Sequence, residues 1–119
     1  MQIHVNTSNG IDNKDALERW ATAELEEKLQ HFSQDLTRVE VHLSDENGEK
    51  TGAGDKRCTM EARLAHHQPL ATSHHGATQD EAFRGATDKL RRLLDHQLGR
   101  QKDHRDRDSI RRAAAAASD

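Results

Sequence analysis

The chain has 119 residues, 32% of them hydrophobic and 33% charged, with a formal net charge of -3. That length and composition support one small two-layer domain with a solvated exterior, and no apolar run approaches the roughly 20 residues needed to span a bilayer. A single cysteine, Cys58, excludes an internal disulfide framework and fits a reducing cytoplasm, and no charged-then-apolar leader precedes Gln2. The net charge hides an asymmetry: residues 1–55 carry 5 Lys and Arg against 12 Asp and Glu, a balance of -7, whereas residues 56–119 carry 13 against 9, a balance of +4. A basic second half points to a polyanionic partner, although the overall balance is not that of a strongly basic nucleic-acid-binding domain.

In chain order, Gln2 to Thr7 alternates, with Ile3 and Val5 against Gln2, His4 and Asn6, which predicts a short half-buried strand. Ser8-Asn9-Gly10 breaks it. Asp12 or Asn13 caps a helix running from about Lys14 to Phe32, in which Leu17, Ala21, Leu25, Leu29 and Phe32 line one side, Trp20 sits at its edge, and Glu18, Glu26 and Glu27 make the outside acidic. Thr37 to Leu43 alternates again, with Val39, Val41 and Leu43 inward and Arg38, Glu40 and His42 outward. Asp45 to Gly48 signals a turn, and the loop through Gly54 reads as a mobile hairpin tip. Lys56 to Ala65 predicts a third strand with Cys58, Met60, Ala62 and Leu64 inward. His66 to Pro69 turns the chain, and Leu70 to His74 is the fourth strand.

Thr78 then caps one long helix to His104, with Asp80 and Glu81 favourably placed in its first turn. Ala82, Phe83, Ala86, Leu90, Leu93, Leu94 and Gln97 form its apolar stripe, and Arg84, Asp88, Arg91, Arg92 and Asp95 its outer side. From about Arg105 the chain is charged and then alanine-rich. The order is β-α-β-β-β-α, an α+β fold with a four-stranded, mostly antiparallel sheet and two helices on one face. Residues 1–104 make the domain, and 105–119 read as a flexible tail.

Nothing in the chain has the spacing of a catalytic or metal site. His66, His67, His74 and His75 flank the fourth strand, but adjacent histidines on a strand point to opposite faces, so a tetrahedral zinc site with Cys58 is not evident. Cys58 alternates with Met60, Ala62 and Leu64 and is most simply a buried apolar residue rather than a nucleophile. Asp45-Glu46-Asn47-Gly48 lacks the ligand spacing of a calcium loop, and the glycines at 48, 52 and 54 do not precede a helix N-terminus as a phosphate-binding loop requires. The expectation is a protein without catalytic activity, metal or cofactor.

The element order, the first helix ALERWATAELEEKLQHF and the second helix DEAFRGATDKLRRLLDHQLGR together resemble the ribosome hibernation-promoting factor / RaiA-type ribosome-associated inhibitor family over roughly residues 1–104. Ala86-Thr-Asp-Lys89-Leu90 carries the most specific part of the likeness, and TRVEVHLSDENG followed by DKRCTMEARL resembles stand-alone members. The resemblance implies a fold like that of double-stranded-RNA-binding domains. It also implies binding to the small ribosomal subunit in the channel used by mRNA and tRNA, which blocks translation and protects idle ribosomes in the cytoplasm. With only the charged and Ala-rich tail after the domain, the chain resembles the short class, without a dedicated ribosome-dimerisation domain; neither DNA nor membrane is implied as a partner. Relatives carry lysines along the outer first helix, where this chain has Ala23, Glu24 and Glu27 and keeps Lys28.

The expected rRNA-binding residues are therefore Arg57, Arg63, Arg84, Lys89, Arg91, Arg92, Arg100 and Lys102, acting by phosphate neutralisation rather than base readout. Recognition of RNA shape needs no aromatic platform, which suits a chain with one Trp, two Phe and no Tyr. Each arginine has an alternative as an exposed ion-pair partner, Arg84 with Asp88 or Arg91 with Asp95. The alternative function is a non-catalytic protein-binding regulatory module of the same fold, using the acidic first helix against a basic partner.

Overall fold

The computed structural model describes residues 1–8, 11, 13–45 and 56–117, with side chains described as far as Gly99. The elements are β1 (Gln2–Thr7), α1 (Lys14–Lys28), a short 3-10 turn (Gln30–Phe32), β2 (Leu36–Asp45), β3 (Lys56–Leu64), β4 (Leu70–Gly76) and α2 (Gln79–Ala117). The strands lie side by side in the order β1-β2-β3-β4. β1 pairs with β2 in parallel from Gln2↔Arg38 to Thr7↔Leu43, because α1 carries the chain back across the sheet between them. The other two pairings are antiparallel, from Asp45↔Lys56 to Leu36↔Leu64 and from Lys56↔Gly76 to Ala62↔Leu70. The fold is thus the expected β-α-β-β-β-α, with strands β2 and β4 a little longer than alternation alone suggested.

The two-residue period sorts every strand into an inner and an outer face. Val39, Val41, Leu43, Cys58, Met60, Ala62 and Leu64 are buried beneath the helices. They meet Ala21, Leu25 and Leu29 of α1 and its C-cap, and Ala82, Phe83, Ala86, Leu90 and Leu94 of α2, in one continuous core. Trp20 and Phe83 stack between the two helices, ring centroids 4.8 Å apart at 54°. Leu93, expected in the buried stripe, is 37% exposed. It falls on a flank of α2, and the buried place at the helix centre is taken by Thr87, whose hydroxyl donates to the Phe83 carbonyl at 2.8 Å.

The first helix ends earlier than its apolar period suggested. Leu29 leaves helical geometry at φ -104°, ψ 8°, and the Phe32 amide donates to the Leu29 carbonyl at 2.9 Å. The chain must enter β2 at Leu36, and tightening the final turn to i→i+3 bonding leaves Phe32 in the core while redirecting the backbone. Asn13 is the N-cap, in left-handed geometry and without a side-chain capping bond; Asp12, its alternative, lies outside the described residues, as does the loop 46–55.

The start of α2 is better specified. The Glu81 amide donates to Thr78 Oγ1 at 3.1 Å, while Glu81 Oε2 accepts from the Ala77 amide at 2.9 Å, a variant of the reciprocal capping box. Gly76 makes this entry possible, since a Cβ there would stand 2.7 Å from that of Glu81. Gln79 fastens the same end to the sheet through its amide on the Ser44 carbonyl at 3.3 Å. Farther along, Gly85 lies directly on the His74 ring, where any side chain would overlap the imidazole.

Candidate nucleic-acid interface

Two surfaces remain after the core is assembled: the outer face of the sheet and the exposed sides of the helices. The sheet face is polar apart from Ala71. Strand registers place Gln2, Arg38 and Arg63 in one row, His4, Glu40, Glu61 and Ala71 in the next, then Asn6, His42, Thr59 and Ser73, and last Ser44, Arg57 and His75. Two of its guanidinium groups are held by carboxylates on their own strands, Arg38 by Glu40 at 2.7 Å and Arg63 by Glu61 at 3.1 Å. Such exposed pairs add little stability, but they dilute the positive potential and orient the cations.

The helix cations divide along α2. Arg84 and Arg91, seven residues apart, share the flank on the α1 side, Lys89 falls on the opposite flank, and Arg92 lies between the two flanks on the outward face at about 100° per residue. Arg84 donates through Nε to both oxygens of Asp80, at 2.8 and 3.0 Å. Its hydrogen bond to Asp80, and then the charge of Asp80 and of nearby Glu24, raise its pKa. The expected partner, Asp88, is not the one chosen: a carboxylate four residues toward the N-terminus has the better orientation. Lys89 reaches the edge strand instead, where Nζ donates to the Ser73 carbonyl at 3.1 Å. Arg92 Nε donates to the Asp88 carbonyl at 3.3 Å and is otherwise exposed.

The eight candidates therefore do not form one flat surface. Arg57 and Arg63 project from the sheet face, Lys89 from the helix layer behind the β4 edge, Arg92 from the outward face of α2, and Arg84 and Arg91 from its far flank. The β4 edge thus has Arg57 and Arg63 on its sheet-face side and Lys89 on its helix side. The side chains of Arg100 and Lys102 lie outside the described residues. Arg38, not singled out from the sequence, joins the sheet-face set; its outward position in the alternation of β2 was the available signal.

The histidines are dispersed. His74 faces α2 under Gly85, and His75 faces outward beside Arg57. His66 turns at φ 67°, and His67 Nδ1 meets Gln97 Nε2 at 3.4 Å. Among the described residues no three His, Cys, Asp or Glu side chains are grouped to hold a metal ion. Cys58 is fully buried, and burial pushes its thiol up to about 12, so the reactive thiolate is suppressed at neutral pH. Among the described residues no helix is long and apolar enough to cross a membrane.

The family model described as sigma 54 modulation protein / S30EA ribosomal protein matches residues 4–103. Two solved structures share the fold. One is the Protein Y N-terminal domain of Thermus thermophilus, with TM-score 0.62 and 18% identity over 81% of this chain and 98% of that one. The other is a ribosomal subunit interface protein from Coxiella burnetii, with TM-score 0.64 and 16% identity over 83% and 99%. Comparison with curated protein sequences finds no match.

Proposed function

This chain belongs to the sigma 54 modulation protein / S30EA ribosomal protein family, and from that premise we propose that it is a non-catalytic hibernation factor that occupies the mRNA and tRNA channel of the small ribosomal subunit. Occupation of that channel blocks translation, and the contacts are to rRNA phosphates. The observation that carries this reading is the placement of Lys89 at the β4 edge, with Arg92 nearby on the outward face of α2 and Arg57 and Arg63 around the same edge on the sheet face. A cation set that turns a corner suits a folded RNA with phosphates on two walls of a groove. Ion pairing on the sheet face leaves Lys89, Arg91 and Arg92 as the strongest described source of uncompensated charge. Residues 1–104 act as the binding domain, followed by the charged and Ala-rich tail 105–119.

The test is co-sedimentation with small subunits, large subunits and intact ribosomes across a salt series. Small-subunit pelleting that weakens steeply with salt supports the reading, because phosphate contacts release counterions. Replacing Lys89, Arg91 and Arg92 with glutamate removes the association while circular dichroism stays unchanged. Unaltered binding by that variant, or binding indifferent to salt, rejects the proposed surface.

A further inference from the structure

The two edges of the sheet are protected very differently. At β4 the Lys89 ammonium occupies the Ser73 carbonyl, Pro69 precedes the strand, and α2 packs along it. β1 also has a helix, α1, packed against it, but no proline precedes it. Its six residues, QIHVNT, contain no lysine, carboxylate or proline, and its register with β2 runs without a bulge from Gln2 to Thr7. Among the described residues nothing pairs with its outer side. Native proteins ordinarily blunt a regular edge of this kind, since alternate N–H and C=O groups point outward ready to bind another strand.

Beside this edge lies a groove of about 560 Å³ between β1 and α1, lined by Val5, Asp15, Glu18, Arg19, Thr22, Ala23 and Glu26. Its floor is the half-buried Val5, and its wall is one stripe of the helix. Three carboxylates face one guanidinium. Glu18 already accepts a hydrogen bond from Thr7 Oγ1 at 3.2 Å, which ties the wall to the strand, while Asp15 and Glu26 stand exposed toward the two ends. They are eleven residues apart, about 16 Å along a helix, and an extended segment of five residues has about the same length.

We infer that the groove between β1 and α1 docks an extended, lysine- or arginine-rich segment of a partner protein, which adds to the sheet as a fifth strand beside β1. The strand edge supplies main-chain hydrogen bonds and the carboxylate wall selects basic side chains at alternate positions, the two parts of recognition by strand addition. Charge complementarity decides the occupant: a nucleic acid is repelled by Asp15, Glu18 and Glu26, and an acidic peptide likewise. The chain's own basic residues beyond Gly99 lie in α2 as far as Ala117, a helix and not the extended segment this edge requires. The site is on the opposite edge from Lys89 and does not depend on the ribosomal reading.

The experiment is fluorescence anisotropy with the full chain and a labelled peptide of alternating lysine and threonine. Three comparisons accompany it: a glutamate–threonine peptide, a lysine–threonine peptide N-methylated at alternate residues, and the Asp15→Asn/Glu26→Lys variant, whose changes are both on exposed side chains. The lysine–threonine peptide is expected to bind, the glutamate–threonine and N-methylated peptides to fail, and the variant to bind about tenfold more weakly, an effect of the size seen when complementary charges are removed. Equal binding of the N-methylated peptide overturns strand addition. Failure of the lysine–threonine peptide to bind the unaltered chain, or unchanged affinity in the variant, overturns the assignment of the groove. A concentration-dependent dimer that the peptide does not dissociate overturns it in favour of a second copy on the same edge.

Discussion

The β4 and β1 edges of one small sheet show opposite solutions to the same problem. At β4 a lysine from the neighbouring helix satisfies a strand carbonyl at 3.1 Å and leaves its charge pointing to solvent with Arg92 beside it. At β1 the strand is left regular and neutral, and the neighbouring helix presents carboxylates. The difference teaches that the charge asymmetry between the two halves of the chain becomes an asymmetry across the sheet, because β1 and α1 come from the first half and β4 and α2 from the second. Net charge says nothing about this; topology converts position in the chain into position in space.

The largest expected effect that could break this comparison is on ribosome association. Reversal of Lys89, Arg91 and Arg92 to glutamate should weaken co-sedimentation at least about 100-fold and flatten the log–log salt dependence by about 2 to 3 units, whereas Asp15→Asn/Glu26→Lys on the other edge should leave it no weaker. Equal losses in the two variants would mean that the edges are not functionally distinct. Next, Gly85→Ala should cost about 1–3 kcal/mol in chemical denaturation, because the new methyl group overlaps the His74 ring and forces α2 away from β4. It should carry Lys89 off Ser73 and lower ribosome affinity as well, so a stable Gly85→Ala protein with full affinity would uncouple the edge from its helix.

The core beneath both edges provides a smaller, edge-independent control. Cys58 has its pKa raised from 9.0 to about 12 by burial. The unfolded chain therefore loses the thiol proton at lower pH than the folded chain, and stability from this residue is full below about pH 9 and falls as pH rises toward 12. Relative to Cys58→Ala, the unaltered chain should lose about 1 kcal/mol between pH 8 and pH 10, measured by urea denaturation; a pH-independent difference would place the thiol in contact with solvent. The smallest effect is expected at Arg84. Its ion pair with Asp80 is exposed, and Arg84→Ala should change stability by less than about 0.5 kcal/mol. Its effect on ribosome co-sedimentation should also fall well below that of Lys89→Ala, since the Asp80 carboxylate already compensates its charge.

Much of the architecture was legible because the strands alternate cleanly. Val39, Val41, Cys58, Met60 and Ala62 are inward by period alone, and all are buried. The helix signals were less exact. Leu29 and Phe32 continue an apolar period that the backbone does not follow, since periodicity cannot register the need to turn into β2. Leu93 fits a broad stripe yet falls on its margin, and it is exposed there. For the interface, the two periods put Arg57 on the outer side of a strand and Arg91 on the outer side of a helix, but not how far apart those sides lie. Strand pairing and helix placement put one on the sheet face and the other behind it. Arg84 had carboxylates four residues away in both directions, and the favourable orientation of acid before base was the clue to Asp80.

The contact between Lys89 and Ser73 also bears on how fast and how selectively a ligand can be gripped. A free lysine side chain loses up to about 2 kcal/mol of rotamer entropy when it is immobilised. In Lys89 part of that loss occurs on folding, because one of its three ammonium donors is already committed to the strand carbonyl. On the proposed rRNA-binding surface Lys89 would therefore act as a partly preset reference point against which the other cations adjust, and an arginine in its place, with a planar fork and a longer reach, would keep the charge but lose the aim.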